Sequence, residues 1–268
     1  MLHYDEFQPF SIKILEYFAS MINIKTKEEI DAMREAGRIS AKALQLTGAQ
    51  VRPGISTLEL DQICEEIIRL EGAVPAFKGY NGFPGSICAS VNEAVVHGIP
   101  SSEIILQEGD IISIDTGAII NGWVGDNAWT FPVGEISEAK SRLLAKTEEC
   151  MWASIDAARA SNHLGDIGHA CQKLAESAGY GVVREYVGHG IGHMMHEDPS
   201  IPNYGKAGTG PLLEPGMVFA IEPMINMGTP DVIDGLDGWL VTTADGLPSA
   251  HFEKTIAITE SDPIILTQ

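Results

Sequence analysis

The sequence predicts an α+β fold in which a pair of helices followed by strands occurs twice. Three observations lead to this prediction: four segments with helical periodicity, two long stretches rich in Gly and β-branched residues, and short sequence matches between those stretches. We therefore expect one domain over 21–268, with similar halves at about 26–134 and 135–262. Residues 1–20 are expected to be an extension outside this core, because Met21 opens a more ordinary beginning.

The helices are predicted from their starts and their apolar spacing. Thr26 and Glu29 form a capping-box pattern before apolar residues at helical spacing, and Ser56 and Glu59 repeat that pattern before the second helix. The strand-rich stretch 73–134 follows. Two further helical patterns, at 136–160 and 164–178, come before the second strand-rich stretch at 181–262.

Two pairs of short matches support an internal repeat. EAVVHGI (93–99) aligns with EYVGHGI (185–191), and GDIISID (109–115) aligns with GMVFAIE (216–222). Two matches in the same order, within the same helix–strand pattern, favour a duplicated half over chance. Such a fold brings equivalent strands together around a pseudo-two-fold axis. The repeat therefore predicts that His97 meets His189, and that Asp115 meets Glu222.

Composition limits the classes of function. The chain has 268 residues, 44% of them hydrophobic, and a formal net charge of −20. This composition supports a folded core and offers no basic footprint for nucleic acid or an anionic membrane. No apolar run approaches the ~18 residues that a membrane helix needs, and the acidic N-terminus does not read as a signal peptide. The four cysteines lack a CxxC pair, which indicates reduced, buried thiols in a cytosolic protein.

Acidic residues on apolar strands are the strongest chemical signal. Asp115 ends the apolar run IISID, and Asn121-Gly122 is a hairpin signal that would place Asp126 beside it. Glu222 and Glu253 occur in similar apolar settings, VFAIEPM and AHFEKTIAIT. Each acid alone could be an exposed strand-end residue or a partner of Lys or Arg. Since basic residues are scarce after residue 196, the four acids together favour a metal centre.

His189, in the Gly-rich segment GHGIGH, adds a nitrogen ligand to this oxygen-rich set. Two divalent ions would balance four carboxylates, and such a pair suits hydrolysis. Ligand hardness points to Mn, Fe, Co or Zn, and the sequence does not select among them. Magnesium-dependent phosphoryl transfer is the competing interpretation, which the missing P-loop and the scarcity of Lys and Arg weaken.

Five motifs carry a family resemblance that runs from about Met21 to the C-terminus. They are YNGFPGSICASVNEAVVHGIP (80–100), GDIISIDTGAIINGWVGDNAWTF (109–131), GHGIGHMMHEDP (188–199), FAIEPM (219–224) and SAHFEKTIAIT (249–259). In this order and spacing the chain resembles the type I methionine aminopeptidases. The short interval between His196 and Glu222 leaves no room for the helical insertion of the type II enzymes.

The resemblance implies the α+β pita-bread fold, with curved antiparallel sheets inside, helices outside and a pseudo-two-fold axis. It also implies a ligand set for two divalent metals. Asp115 would bind one metal, Asp126 and Glu253 would bridge both, and His189 and Glu222 would bind the other. Glu222 is in addition expected to move a proton during hydrolysis.

Further roles are implied for residues around the metals. His97 and His196 would flank the scissile peptide, the alternative being ordinary turn or core residues. The pocket for the first side chain maps to Tyr80, Phe83, Cys88, His97, Met195 and Trp239, and an apolar, partly sulfur-lined pocket suits methionine. For Phe83 and Cys88, plain core packing stays open. A monovalent cation (Na or K) site would map to Asn92, Ala94 and Ser249.

The chain also departs from the family pattern. Asn127 stands where Thr is frequent, Thr116-Gly117 replaces a β-branched run, His251 stands where many relatives have Gln, and Met195 replaces a frequent Phe. All five implied metal ligands remain. These departures are therefore expected to tune rate, metal preference and pocket shape rather than to abolish activity.

The implied activity is removal of the initiator methionine from nascent chains, with a preference for a small second residue, through attack of a water or hydroxide held by the two metals. The implied setting is a cytoplasmic monomer that acts near the ribosome. Two alternatives stay open: an Xaa-Pro peptidase of the same fold, and a non-catalytic binding protein that kept the fold. Xaa-Pro peptidases usually carry an additional N-terminal domain, and non-catalytic relatives typically lose metal ligands.

Overall fold

The structure is a computed structural model that describes residues 22–268, so the predicted extension at 1–20 lies outside the described residues. Both predicted capping boxes are confirmed, at Thr26–Glu29 and at Ser56–Glu59. Each places a hydroxyl and a carboxylate on the free N–H groups of a first helical turn. The helices are α1 (Lys27–Gly48), α2 (Thr57–Leu70), α3 (Glu138–Ala157) and α4 (Leu164–Ser177). None of these helices is long and apolar enough to cross a membrane.

The strands form small antiparallel sheets. In the first half they are β1 (Val74–Pro75), β2 (Ile87–Val91), β3 (Ala94–Val96), β4 (Ile111–Ile120) and β5 (Trp123–Pro132). In the second half they are β6 (Gly181–Val182), β7 (Gly188–Gly190), β8 (Glu197–Ile201), β9 (Val218–Ile221), β10 (Met224–Asn226), β11 (Val232–Asp234), β12 (Val241–Thr243), β13 (Ser249–His251), β14 (Lys254–Ala257) and β15 (Ile264–Ile265).

Three sheets lie within a single half, and a fourth joins the halves. In the first half β4 pairs with β1, β2 and β5. In the second half the order β15-β14-β9-β7-β8 forms the largest sheet, and β13-β10-β6 forms a smaller one. The remaining sheet, β11-β12-β3, takes β3 from the first half and β11 and β12 from the second. Strands of the two halves therefore share one sheet.

The hairpin of β4 and β5 turns at Asn121-Gly122, as predicted. Both residues have positive φ, 51° and 80°, which this kind of tight turn requires. One expectation was wrong: Asp115 does not end its strand, because β4 pairs on both sides and continues to Ile120. Asp115 lies opposite Ala128, and Asp126 lies opposite Gly117. The two aspartates are thus diagonal neighbours on one face of the hairpin.

Helix α1 packs directly on the other face of this hairpin. A Cβ atom added at Gly125 would lie 2.5 Å from the backbone nitrogen of Gly37, so the two backbones touch without a side chain between them. Beside this contact, Asn127 Nδ2 donates to Ser40 Oγ at 2.7 Å. Ser40 Oγ in turn donates to the Thr116 carbonyl at 2.8 Å. Helix and hairpin are therefore held in register by backbone contact and buried hydrogen bonds.

Each helix pair covers the strands of its own half. Apolar residues of α1 and α2 pack on β2 and β4, and those of α3 and α4 pack on β9, β10 and β13. The order of two helices followed by strands occurs twice, although the internal repeat itself stays a prediction. All four cysteines are free and buried, as expected from their spacing.

Candidate active site

A cavity of about 230 Å³ lies where the β4–β5 hairpin faces short strands of the second half. Four acidic side chains on its surface form what we call the carboxylate floor: Asp115, Asp126, Glu222 and Glu253. The first two come from β4 and β5, Glu222 directly follows β9, and Glu253 lies between β13 and β14. The structure thus brings together the four acids that the sequence singled out, including the predicted pair Asp115 and Glu222.

His189 of β7 lies among these carboxylates. Its Nε2 atom is 3.4 Å from Glu222 Oε1 and 3.9 Å from Asp126 Oδ2. Its Nδ1 atom is 2.9 Å from the Gly190 carbonyl, to which an Nδ1–H would donate. That hydrogen bond leaves Nε2 with a free lone pair directed at the floor, which is the usual arrangement of a histidine metal ligand.

Burial and mutual repulsion oppose ionisation of the acids in the floor. Burial raises the pKa of Asp126 to about 7. Burial first, and then the neighbouring carboxylates, hold the pKa values of Asp115, Glu222 and Glu253 well above their ordinary range. Burial also lowers the pKa of His189 to about 4, so His189 does not supply a positive charge at neutral pH.

These residues fit a bound metal cation. One donor atom each from Asp126, His189 and Glu253 lie within 4.8 Å of one another. Asp115 Oδ1, Asp126 Oδ1 and Glu253 Oε1 are buried and lack a hydrogen-bond partner. A buried acidic oxygen without a partner is costly, and a divalent cation would satisfy several such oxygens at once. Oxygen-rich ligands with one imidazole suit Mn, Fe, Co or Zn.

Two further histidines face the same cavity. His97 has a positive φ of 61°, a strained conformation for a residue other than Gly, and its ring packs edge-on against Tyr186 at 5.6 Å between centroids. His196 contacts His189 at 4.3 Å between ring centroids. His97 and His189 line the same cavity, as the repeat predicted. Their rings pack on different residues, however: His97 on Tyr186 and His189 on His196.

His196 is oriented by an aromatic hydroxyl. The Tyr80 hydroxyl lies 2.8 Å from His196 Nδ1. If the hydroxyl donates, the proton of the neutral ring is on Nε2, the nitrogen on the far side of the ring from Tyr80. Burial lowers the pKa of both His97 and His196, and the repulsion that a protonated His196 would exert lowers that of His97 further. Both rings are thus neutral hydrogen-bonding groups at neutral pH.

The other main part of the cavity lining is mostly apolar, and we call it the apolar wall: Tyr80, Phe83, Cys88, Met195 and Trp239. Phe83 and Trp239 pack edge to face at 5.1 Å between centroids. Phe83, Cys88 and Met195 are buried, and Trp239 and Tyr80 are partly buried. All six residues predicted for the first side-chain pocket, His97 included, therefore line one cavity.

The departures from the family pattern fall in different places. Asn127 is buried against Ser40 on the helix side of the hairpin, away from the cavity. His251 lies behind the floor, with Nε2 at 3.5 Å from Glu222 Oε2. Met195 is part of the apolar wall. Of these, only Met195 and His251 are placed to affect the cavity chemistry directly.

The predicted monovalent-cation residues lie close together outside the cavity wall. The Asn92 carbonyl accepts a hydrogen bond from the Ser249 N–H at 2.8 Å, and the Ser249 hydroxyl lies 3.3 Å from the Ile225 carbonyl. Ala94 pairs with Thr242 in the sheet that joins the halves. The role of this group stays a prediction.

Sequence reasoning missed four residues near the site. Phe77 and Asn81 line the cavity, Tyr186 packs on His97, and Asn203 Nδ2 donates to the Glu222 carbonyl at 3.1 Å. A local sequence signal could have identified Asn81 as a turn residue, because it lies at positive φ in the tight Gly79–Gly82 turn. The other three reach the site through tertiary contacts that leave no local pattern.

Comparisons with known proteins agree with this geometry. Residues 31–260 match the family described as metallopeptidase family M24. Methionine aminopeptidase 1 of Bacillus subtilis is 54% identical over 248 residues, covering 92% of this chain and 100% of that protein. Methionine aminopeptidase 1 of Mycobacterium tuberculosis is 49% identical, covering 89% of this chain and 92% of that protein.

Solved structures give the same result for the fold. A crystal structure of methionine aminopeptidase from Rickettsia prowazekii has a TM-score of 0.91 at 44% identity, covering 92% of this chain and all of that one. Prolidase from Pyrococcus furiosus has a TM-score of 0.76 at 25% identity, and only 67% of its length is covered. The antiparallel sheets with outer helices are thus the expected pita-bread fold. The chain belongs to metallopeptidase family M24 and, within it, to the methionine aminopeptidases.

Proposed function

We propose that this chain is a metal-dependent aminopeptidase that removes N-terminal methionine from newly made polypeptides. One observation carries the proposal: the same cavity is lined by the carboxylate floor with His189 and by the apolar, sulfur- and aromatic-containing wall. The floor suits cations and the wall suits a thioether side chain. Membership of a metallopeptidase family supports divalent-metal use.

The metal centre is proposed to hold two divalent ions. Its ligands would be Asp115, Asp126, His189, Glu222 and Glu253, with Asp126 and Glu253 shared between the ions. When bound, such ions supply Lewis acidity toward the peptide carbonyl and toward water. Two ions would also balance the four buried carboxylates. Mn, Fe, Co and Zn all suit the ligand set.

The other residues bind and orient the substrate. We infer that the methionine side chain packs against the apolar wall, of which the contacting rings of Phe83 and Trp239 form a part. The buried acids next to this pocket would accept hydrogen bonds from the free α-amino group. This arrangement selects an N-terminal residue, because an internal residue carries no charged amine.

Three residues are proposed to act at the scissile bond. His97 and His196 would donate hydrogen bonds to the peptide, and Tyr80 would hold His196 in the tautomer that allows this. Glu222 would take a proton from the attacking water and pass it to the leaving amine. Burial, and then the Asp126 carboxylate, raise the pKa of Glu222 well above its ordinary range, which makes it a better proton acceptor than an exposed carboxylate.

The remaining parts of the proposal come from the family resemblance. They are a small second residue, a cytoplasmic monomer, action on chains emerging from the ribosome, and a bound Na or K ion at Asn92, Ala94 and Ser249. A series of Met-Xaa-Ser peptides tests the second-residue preference, and size-exclusion chromatography tests the monomer.

The central experiment compares the peptides Met-Ala-Ser and Ala-Pro, with Mn²⁺ or Co²⁺ added and then chelated. We expect cleavage of Met-Ala-Ser only, abolished by the chelator. Cleavage of Ala-Pro instead would indicate an Xaa-Pro peptidase. No cleavage of either peptide with any metal would indicate a binding protein that has kept the fold.

A further inference from the structure

The Glu222 carboxylate lies between two imidazole nitrogens. On one side, Glu222 Oε1 is 3.4 Å from His189 Nε2. On the other side, Glu222 Oε2 is 3.5 Å from His251 Nε2. Both oxygens of this one carboxylate thus have an imidazole within reach. The metal site proposed above uses only His189.

The two imidazoles have different surroundings. His189 Nε2 is close to a second carboxylate, that of Asp126, and His189 groups with Asp126 and Glu253 as a possible metal-binding triad. His251 has Glu222 as its acidic neighbour and lies outside that triad. His251 is 1% exposed, and its Nε2 atom is buried without a satisfied hydrogen bond. A buried polar atom of this kind calls for an explanation.

The backbone of His251 is held firmly. Its N–H donates to Thr130 Oγ1 at 3.0 Å, and its carbonyl accepts from the same hydroxyl at 2.8 Å. Thr130 Oγ1 is also 2.9 Å from Ser113 Oγ, which ties the contact to the β4–β5 hairpin. On its other side, His251 pairs with Met224 of β10. The imidazole therefore projects toward Glu222 from a strand fixed on both sides.

We propose that His251 is a positioning residue that donates Nε2–H to Glu222 Oε2 and so fixes the orientation of that carboxylate. A small rotation of the carboxylate shortens the present 3.5 Å separation to an ordinary hydrogen bond. With Oε2 held by His251, Oε1 stays on the side of His189 and the floor. The inference rests on the proposed function, in which Glu222 binds metal and moves a proton. Groups that orient metal ligands typically change metal affinity or activity about 10–100-fold.

The test compares two variants with a matched control. His251→Gln keeps an N–H donor at similar reach, and His251→Leu keeps volume without a donor. His169→Leu removes an exposed histidine of α4 and serves as the control. For each protein, Mn²⁺ affinity is measured by titration calorimetry, and kcat and KM are measured with Met-Ala-Ser. Thermal unfolding of the metal-free proteins tests whether each variant folds. If the Leu variant does not fold, His251→Met takes its place.

We expect His251→Leu to weaken Mn²⁺ binding and lower kcat by about 10-fold or more, with KM within about twofold of the parent. His251→Gln should recover most of both losses, and His169→Leu should match the parent.

Unchanged Mn²⁺ affinity and kcat in the folded Leu or Met variant would overturn the positioning role of His251. Equal losses in the Gln and Leu variants, with a changed visible spectrum of the Co²⁺ protein, would make His251 a metal ligand and overturn it too. A parent protein that binds Mn²⁺ but cleaves no peptide would count against the proposed function alone, because the affinity comparison still tests His251.

Discussion

The carboxylate floor and the apolar wall share one cavity but contribute in opposite ways to the stability of the fold. The wall buries aromatic and sulfur-containing side chains that pack on one another, as Phe83 and Trp239 do. Such contacts favour folding whether or not a ligand is present. The floor buries acids whose oxygens lack partners, Asp115 and Glu253 among them. Such groups oppose folding until a cation binds.

Because the floor opposes folding and the wall favours it, substitutions in the two parts should have different measurable effects. Changes in the floor should remove metal and turnover while leaving the metal-free protein as stable as before, or more stable. Changes in the wall should spare the metal and act on substrate binding. Residues between the two parts, such as His97, should affect turnover alone. The predictions below test that division, beginning with the largest effect.

Asp126→Asn should cause the largest loss. The change keeps the shape of a buried side chain but removes a negative charge from the floor, so we expect turnover to fall about 10³-fold or more, together with metal content. The thermal midpoint of the metal-free variant should hold or rise, because a neutral amide is less costly to bury. Activity, metal content by mass spectrometry and thermal unfolding are the measurements. Asp31→Asn, on the exposed side of α1, is the control. Full activity in Asp126→Asn would remove it from the metal site.

The metal-free protein should become less stable as pH rises. Burial raises the pKa of Asp126 from 3.8 to about 7, so the folded state keeps a proton that the unfolded state releases across that interval. Stability is therefore highest at the acidic end of the interval and falls toward neutral pH, by about 1.4 kcal/mol for each pH unit and extra proton. Thermal unfolding between pH 5 and pH 8 (values that bracket the upper part of the interval) measures this. Added Mn²⁺ should reverse the trend, since the cation replaces the protons. A metal-free profile that rises with pH would contradict the account of the floor.

His97→Ala should lower kcat by about 10–100-fold without loss of metal. His97 lines the cavity but is outside the ligand set, so its removal leaves the floor intact. Steady-state kinetics and metal analysis are the measurements, with His169→Ala as a surface control. Unchanged kinetics would exclude a catalytic role, and metal loss would place His97 with the floor.

Trp239→Ala should have the smallest effect, a rise in KM of about 5-fold for Met-Ala-Ser with kcat and metal content kept. The indole is one side of the pocket and packs on Phe83. Leu236→Ala is a matched control, because Leu236 is fully exposed in the same β11–β12 connection. Equal effects of the two substitutions would indicate a general disturbance of the connection rather than a pocket contact.

Much of the fold could be predicted because its signals are local. The capping boxes at Thr26 and Ser56 and the Asn121-Gly122 turn each depend on a few adjacent residues. The full length of β4 could not be predicted in this way, because the strand continues past Asp115 only through pairing with β2 and β5. Pairing partners distant in sequence leave no pattern in the strand itself.

The residues of the site also divide into those with a signal in the sequence and those that only tertiary contacts reveal. The acids of the floor stood out because charged residues are rare on apolar strands, and the family resemblance supplied the residues of the wall. Phe77 and Tyr186 were missed, since an aromatic residue in a loop reads equally well as core or surface. The relation of His251 to Glu222 also required the structure, because it depends on how β13 lies beside the end of β9.

The contact between Gly125 and Gly37 has a consequence for where this site can tolerate change. Gly125 directly precedes Asp126, and there is no room for even a methyl group between its backbone and helix α1. A side chain can rotate to absorb a misfit, whereas two touching backbones cannot. Substituting Gly125 would therefore shift the hairpin as a rigid piece and carry Asp126 with it, and displacements of about 1 Å are costly at a catalytic centre. The sensitivity of the site to mutation thus extends to its packing against helix α1, none of whose residues lines the cavity.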